Sequence, residues 1–484
     1  MDSLKKLQQL FKKTEGNKQP VHSMADMEFQ LDEAQRDEIA RLLKTSPEAM
    51  MKFEEEYQKT LLETPENFFK LSAVQAKENI ASADKIAGDM VKRIVDELLE
   101  KTEFYDYDGK SVRIGRFPQA TTPPVTCEEI NSLPPDMRPD LTGTLLKRDM
   151  PGSCEQILWY YNEWLKEGDS PKGKEMYELF RQGLDILAVD PIVYDIIGTN
   201  PNSMGHWLPQ LVTAVQQQDF FKVPATRIVQ LPIPLLQLAH LEYEELTSTT
   251  RAIVDQYCMK AFELDTRNDY FVKTGTYSSK FLFRNAHVPA GKEVTELGEY
   301  LLFIHSQALE MAGFTVRPKP IYGASTTNEW VVREYIHDKE NNPCIYQGMP
   351  LHTEYRVFVD FDTDSILGVN PYWDPQVMKN HFAANLRNDP DSLHDYMVYS
   401  AFEKTLMERY HKNVEKVCAA LQNMLPFIEM SGQWSVDIMQ NGEDFYLIDM
   451  ALAQNSALIK CVPKNLLKPV KENWLPKQPM NLRR

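Results

Sequence analysis

Near residue 226 the periodicity of this 484-residue chain changes, and that change limits the fold more than any other feature. Upstream, apolar residues recur at helical spacing, as in Val91, Ile94, Val95, Leu98 and Leu99. Ser46-Pro47-Glu48 and Thr64-Pro65-Glu66 each set a cap residue before a proline and an acidic first turn. Residues 150–220 are also helical in pattern, and Trp159, Trp164 and Trp207 are expected in a core. Within this half, Phe104 to Arg116 alternates around Tyr107-Asp108-Gly109, a hairpin signal, and the prolines of 117–142 mark extended chain. Downstream, strands and helices alternate. Strand patterns fall at Arg227–Leu231, Tyr270–Thr274 and Trp330–Ile336, and helical ones at Thr247–Leu264, Glu293–Ala312 and 391–428. Two hairpins follow from Glu354–Phe361 with Ile366–Asn370, and from Trp434–Gln440 with Phe445–Met450 across Asn441-Gly442. Antiparallel pairs mixed with helices make the class α+β. The expected organisation is an arm at 1–28, a mainly helical region at 29–225, an α+β domain at 226–460 and a basic tail at 461–484.

Composition narrows the possibilities. Hydrophobic residues at 43% allow a large core, and a net charge of −17 works against a broad nucleic-acid surface, which needs clustered cations. Six scattered cysteines form no CxxC pair, as expected of free thiols in a reducing, cytoplasmic setting. No run of about 18 apolar residues is present, so no membrane span is expected. The segment Met1–Lys13 is basic and amphipathic and lacks the apolar stretch of a secretory signal.

Four segments of the second half set charged residues beside apolar ones. In Lys273-Thr274-Gly275-Thr276-Tyr277-Ser278-Ser279-Lys280 a lysine ends a strand, a Gly/Ser/Thr loop offers backbone N–H groups to phosphates, and a second lysine closes it; the spacing is not that of a Walker loop. In Trp330-Val331-Val332-Arg333-Glu334-Tyr335-Ile336 two charges interrupt an apolar strand, which costs free energy unless they are paired or bind something. In Glu354-Tyr355-Arg356-Val357-Phe358-Val359, alternation puts Glu354, Arg356 and Phe358 on one face and the apolar set on the other. Asp437 and Asp449 lie on opposite strands of the last hairpin, where two converging carboxylates call for a cation. Each segment alone also reads as a turn or a strand-end ion pair. The run Asp360–Asp364 fails as a calcium loop, because Ser365 replaces the required glycine and Pro371 the bidentate glutamate.

In this order the four segments resemble the ATP-grasp superfamily, closest to the bacterial and phage clade named for one arginine and two lysines and to the eukaryotic chaperone branch that assembles translation initiation factor 2. The likeness covers the C-terminal half. It implies a two-lobed domain binding ATP and Mg²⁺. Lys273 and Lys280 would contact phosphates, and Arg333, Glu334, Tyr335 and Ile336 would form the hinge strand that reads adenine. Arg356 would face the γ-phosphate, and Asp437 and Asp449 would hold the metal. The family's usual asparagine two residues after the last acid is Ala451 here, with Gln454 or Asn455 as substitutes. The first expectation is an ATP-dependent ligase joining an unknown carboxylate or protein acceptor to an amine through an acyl-phosphate, with Arg356 and Lys280 catalytic. The alternatives are a non-catalytic ATP-binding assembly module and an RNA-end ligase. The last draws on a tail carrying Lys460, Lys464, Lys468, Lys471, Lys477, Arg483 and Arg484 against Glu472.

Overall fold

The computed structural model describes residues 66–140, 153–186, 191–239, 241, 243–312, 326–385 and 390–469. The expected N-terminal arm, the cap motif at 46–48, the caps Thr64 and Pro65, and tail residues 470–484 lie outside these. By contacts the chain divides into two units, residues 1–85 and 86–484. The described part of the first is the beginning of helix α1 (Glu66–Glu100). The remainder of this section concerns the second unit.

The class is mixed α+β, a helical N-terminal region followed by sheets. The principal helices are α1, α2 (Ser153–Glu167), α3 (Pro171–Ile186), α4 (Met204–Val215), α5 (Ser248–Ala261), α6 (Leu297–Ala312) and α7 (Pro390–Met424). Strands β1 (Glu103–Tyr107), β2 (Val112–Arg116), β4 (Thr226–Gln230), β5 (Tyr270–Thr274), β6 (His287–Val288) and β7 (Glu329–Glu334) form one sheet in the order β2-β1-β4-β7-β5-β6. A second sheet has the order β11-β10-β12-β13-β3, from β3 (Phe221–Lys222), β10 (Thr353–Asp360), β11 (Ser365–Pro371), β12 (Gln433–Asn441) and β13 (Asp444–Leu452). Strands β8 (Cys344–Ile345) and β9 (Met349–Pro350) pair with each other on the path between the two sheets.

The early hairpin β1–β2 is present, and it lies in the same sheet as β4, antiparallel with Tyr105 opposite Ile228. Both sheets therefore draw strands from either side of residue 226. Local alternation shows that a hairpin exists but not which distant strand its edge will join. In the last hairpin the two turn residues are Gly442 and Glu443, one place later than the Asn441-Gly442 signal, because Asn441 still pairs with Asp444. Gly442 supplies the positive φ, +66°, at that turn. Asn441 is held in register by a second task. Its side chain accepts from Lys339 N–H (2.9 Å) and donates to the His337 carbonyl (2.9 Å), which fastens the crossing between the sheets.

The main core joins the apolar face of the second sheet (Tyr355, Val357, Val359, Val436, Ile438, Phe445) to α4 and the C-terminal half of α7. Each fully buried side chain of this kind contributes about 1.5–3 kcal/mol. That cost of exposure fixes the register of β10 and β12, so their other faces carry Glu354, Arg356 and Asp437 away from the core. Of the three tryptophans expected inside, Trp207 is fully buried, Trp164 is partly covered, and Trp159 is exposed on α2. Trp159 stands edge-on to Tyr160, with centroids 5.4 Å apart, on the outer side of an amphipathic helix. The turn at Asp360–Asp364 is a hairpin turn as expected, and Asp360 and Asp362 bind Lys468 Nζ at 2.7 and 2.6 Å. The described start of the basic tail is thus folded back onto the sheet. Cys258, Cys344, Cys418 and Cys461 are free thiols.

Candidate functional site

A cleft enclosing about 880 Å³ of space, its open mouth included, lies between the two sheets. From the first sheet come Lys273 on β5 and Arg333 and Glu334 on β7; Tyr335 and Ile336 begin the crossing to the second sheet. From the second come Glu354 on β10, Asp437 and Met439 on β12, and Ile448 and Asp449 on β13. Ser278 and Lys280 of the loop after β5 complete the charged end. Phe271, Phe283, Met349 and Pro224 line the apolar remainder, none of them singled out by the sequence. Eight of the nine sequence-predicted site residues line this cleft, and the ninth, Arg356, is bonded to Asp437 within it.

A β-bulge brings the two acids together. Pairing between β12 and β13 shifts by one residue after Asp437, so Asp437 stands opposite Asp449 while Ile438 stands opposite Leu447. Ile448 is the additional residue, and unbroken pairing would have turned Asp449 to the core.

The carboxylates and cations are largely matched to each other. Arg356 donates through Nε and Nη2 to the two oxygens of Asp437 (2.7 and 2.6 Å), a bidentate pair in which both side chains are nearly buried. Lys273, buried at the end of β5, donates to Asp449 Oδ1 at 3.1 Å. Burial pushes the Asp449 carboxyl up, and Lys273, joined by Lys280 and Arg333, more than offsets this, holding it below the usual carboxylate range. Arg333 donates through Nη1 to the Ile448 carbonyl (2.6 Å) and through Nε to Thr226 (3.2 Å). Its Nη2 is buried with no partner among the described residues, and burial lowers its pKa to about 10. This answers why two charges interrupt an apolar strand: Arg333 clamps one sheet to the other, and Glu334 reaches the exposed mouth.

Lys280 differs from these. Its Nζ lies 4.1 Å from the centroid of the Tyr372 ring and has no carboxylate in ion-pair range among the described residues. Arg356 packs on the same ring, 4.7 Å from its centroid. Burial pulls the Lys280 ammonium below the ordinary lysine pKa, while burial pushes the neighbouring Glu354 carboxyl up to about 7 against the pull of Lys280.

The loop from Lys273 to Lys280 is built otherwise than its composition suggests. The N–H groups of Gly275, Thr276 and Tyr277 go to the Glu329 carbonyl and to Thr274 Oγ1, and that of Lys280 to the Ser278 carbonyl. Ser278 and Ser279 alone keep N–H groups without a partner among the described residues, so the loop offers two amides to a ligand, not a ring of them. Gly275 is required for packing: a Cβ there would stand 2.6 Å from the Glu329 carboxylate, which accepts from Gly205 N–H (3.0 Å) at the start of α4.

For a divalent metal the donor set fits in part. Asp449 keeps one oxygen without a partner among the described residues and is 43% exposed, whereas both oxygens of Asp437 hold Arg356. The substitutes for the missing asparagine do not line the cleft. Asn455 Oδ1 accepts from Asn202 Nδ2 at 3.2 Å, and Gln454 is exposed. Among the described residues no three His, Cys, Asp or Glu side chains are arranged to hold a metal, and no helix is long and apolar enough to cross a membrane.

No protein-family model matches the chain, and no curated protein matches it. Two solved structures are similar to part of it: Cdc123 from Schizosaccharomyces pombe and a C-terminally truncated Cdc123 from the same organism. Each is 13% identical; they cover 56% and 55% of this chain and 93% and 92% of their own, with TM-scores of 0.32 and 0.33. At these scores the likeness is slight.

Proposed function

We propose that the cleft binds ATP, with the base in the apolar end and the phosphates toward Lys280, and that the protein works as an ATP-binding interaction module. The observation that carries this is the division of one cleft into an apolar end and a cationic end, built from segments far apart in sequence. Phe271, Phe283 and Met349 suit a planar base, and the Ile336 N–H, without a partner among the described residues, suits a base acceptor. Lys280, unpaired and poorly hydrated, suits a phosphate. Lys273, Arg333 and Arg356 add positive charge around it. Magnesium arriving with the nucleotide would be shared between Asp449, phosphate oxygens and water, with Asp437 alongside; it would neutralise phosphate charge.

Two features favour a binding module over the ATP-dependent ligase. Arg356 is held by Asp437 through Nε and Nη2 and by the Ala457 carbonyl through Nη1, and Ala451 offers no side-chain ligand for a second metal. The RNA-end ligase loses support because Lys468 is committed to Asp360 and Asp362. The test is equilibrium binding of ATP–Mg²⁺ to the full chain, followed by product analysis with carboxylate and amine acceptors. Saturable binding without ADP, AMP or phosphate release supports the module. ADP release that grows with an acceptor restores the ligase, and absence of saturable binding overturns the nucleotide reading altogether.

A further inference from the structure

We infer that Tyr372 is a positioning residue for the phosphate end of the cleft, its ring holding two like-charged side chains in place for a polyphosphate; this rests on the nucleotide reading above. Lys280 reaches the ring from the loop after β5, and Arg356 reaches it from β10. Two cations brought together repel each other, and each loses hydration in the cleft. Arg356 is compensated by Asp437. Lys280 has no carboxylate in ion-pair range among the described residues; Glu354, Asp437 and Asp449 act on it from further off, and the π-face of Tyr372 lies in direct contact with its ammonium. Tyr372 is itself fixed, because its N–H donates to the Glu354 carbonyl at 2.9 Å immediately after β11 and its ring meets Trp373 edge-on, centroids 5.1 Å apart. The ring therefore sits where it can hold a lysine from one sheet beside an arginine from the other.

Because the ring face is what acts, the hydroxyl is dispensable. The experiment compares the full chain with Tyr372→Phe and Tyr372→Leu, measuring the Kd of ATP–Mg²⁺ by calorimetry and of adenosine by ligand-observed NMR. We expect Tyr372→Phe to bind ATP within about twofold of the parent, and Tyr372→Leu to bind it roughly tenfold more weakly. Adenosine, lacking phosphates, should bind all three proteins alike. Equal ATP affinity in Tyr372→Leu overturns the inference. So does equal weakening of ATP and adenosine, which would signal general loss of structure, and so does Tyr372→Phe behaving like Tyr372→Leu. If the parent binds neither ligand, the nucleotide reading itself falls, and that outcome is distinct from the others.

Discussion

Two clusters of buried arginine in this molecule look alike in sequence and differ in what surrounds them. On the first sheet, Arg227 of β4 is buried against Phe104, 4.6 Å from the ring centroid, and pairs with Glu263 at 3.0 Å, while Arg113 bonds Asp106 and Glu263. In the cleft, Arg333 and Arg356 bond Ile448 and Asp437. Among the described residues both clusters leave guanidinium nitrogens buried without a partner, Nε and Nη2 of Arg227 and Nη2 of Arg333. An orphaned donor therefore does not by itself mark a site. The first cluster balances two cations, on β2 and β4, with two acids, Asp106 on β1 and Glu263 in the turn after α5, and its Glu263 and Arg113 are half-exposed. The second gathers cations from both sheets around an open volume and leaves Lys280 without a carboxylate in ion-pair range among the described residues. Convergence and surplus charge, not burial, separate a ligand site from a structural knot.

This contrast has measurable consequences. The largest concerns stability. Asp437→Ala leaves Arg356 buried without its partner and should lower the unfolding free energy by about 3–5 kcal/mol in urea titrations. In the first cluster, Glu263→Gln removes a half-exposed partner and should cost below about 1 kcal/mol. Equal losses would erase the distinction.

The next concerns binding. Lys280→Met should weaken ATP by about 30- to 100-fold, in line with loss of a desolvated charge-assisted bond worth roughly 2–3 kcal/mol, whereas Arg113→Ala should leave ATP affinity unchanged. Isothermal titration of both variants reads this directly.

A smaller effect lies outside both clusters. Asp255 of α5, facing Glu296 and Glu299, has its pKa pushed up to about 7 mainly by burial and then by those two acids; the Gly298 N–H and Arg251 act against them. A carboxyl whose folded pKa exceeds its unfolded value gives stability that is full below the unfolded value near 4 and is lost as pH rises toward 7. Asp255→Asn should flatten the rise in melting temperature between pH 7 and pH 5. An unchanged pH profile in that variant would assign the titration elsewhere, Glu354 being another described carboxyl raised to about 7.

Much of the second half was legible because strand alternation and turn residues are local signals. The face of β10 bearing Glu354 and Arg356, opposite Tyr355 and Val357, follows from period two alone. Three parts of the site were not legible. The bulge at Ile448 is a register choice made between two strands, and nothing in Leu447-Ile448-Asp449 announces it. Two of the loop amides, those of Thr276 and Tyr277, are taken by Thr274 Oγ1, a competition that composition cannot show. Tyr372, Phe271 and Phe283 read as ordinary core aromatics, and only the approach of charged groups or of the cleft gives them another use.

The cleft's assignment is tested most directly by photolabelling the full chain with 8-azido-ATP in the presence of Mg²⁺ and mapping the modified peptides by mass spectrometry. We expect ATP-protectable labels on the segments that line the apolar end, residues 270–288 and 329–352. Labels confined to other segments, or labelling that excess ATP does not suppress, would contradict a nucleotide site between these two sheets.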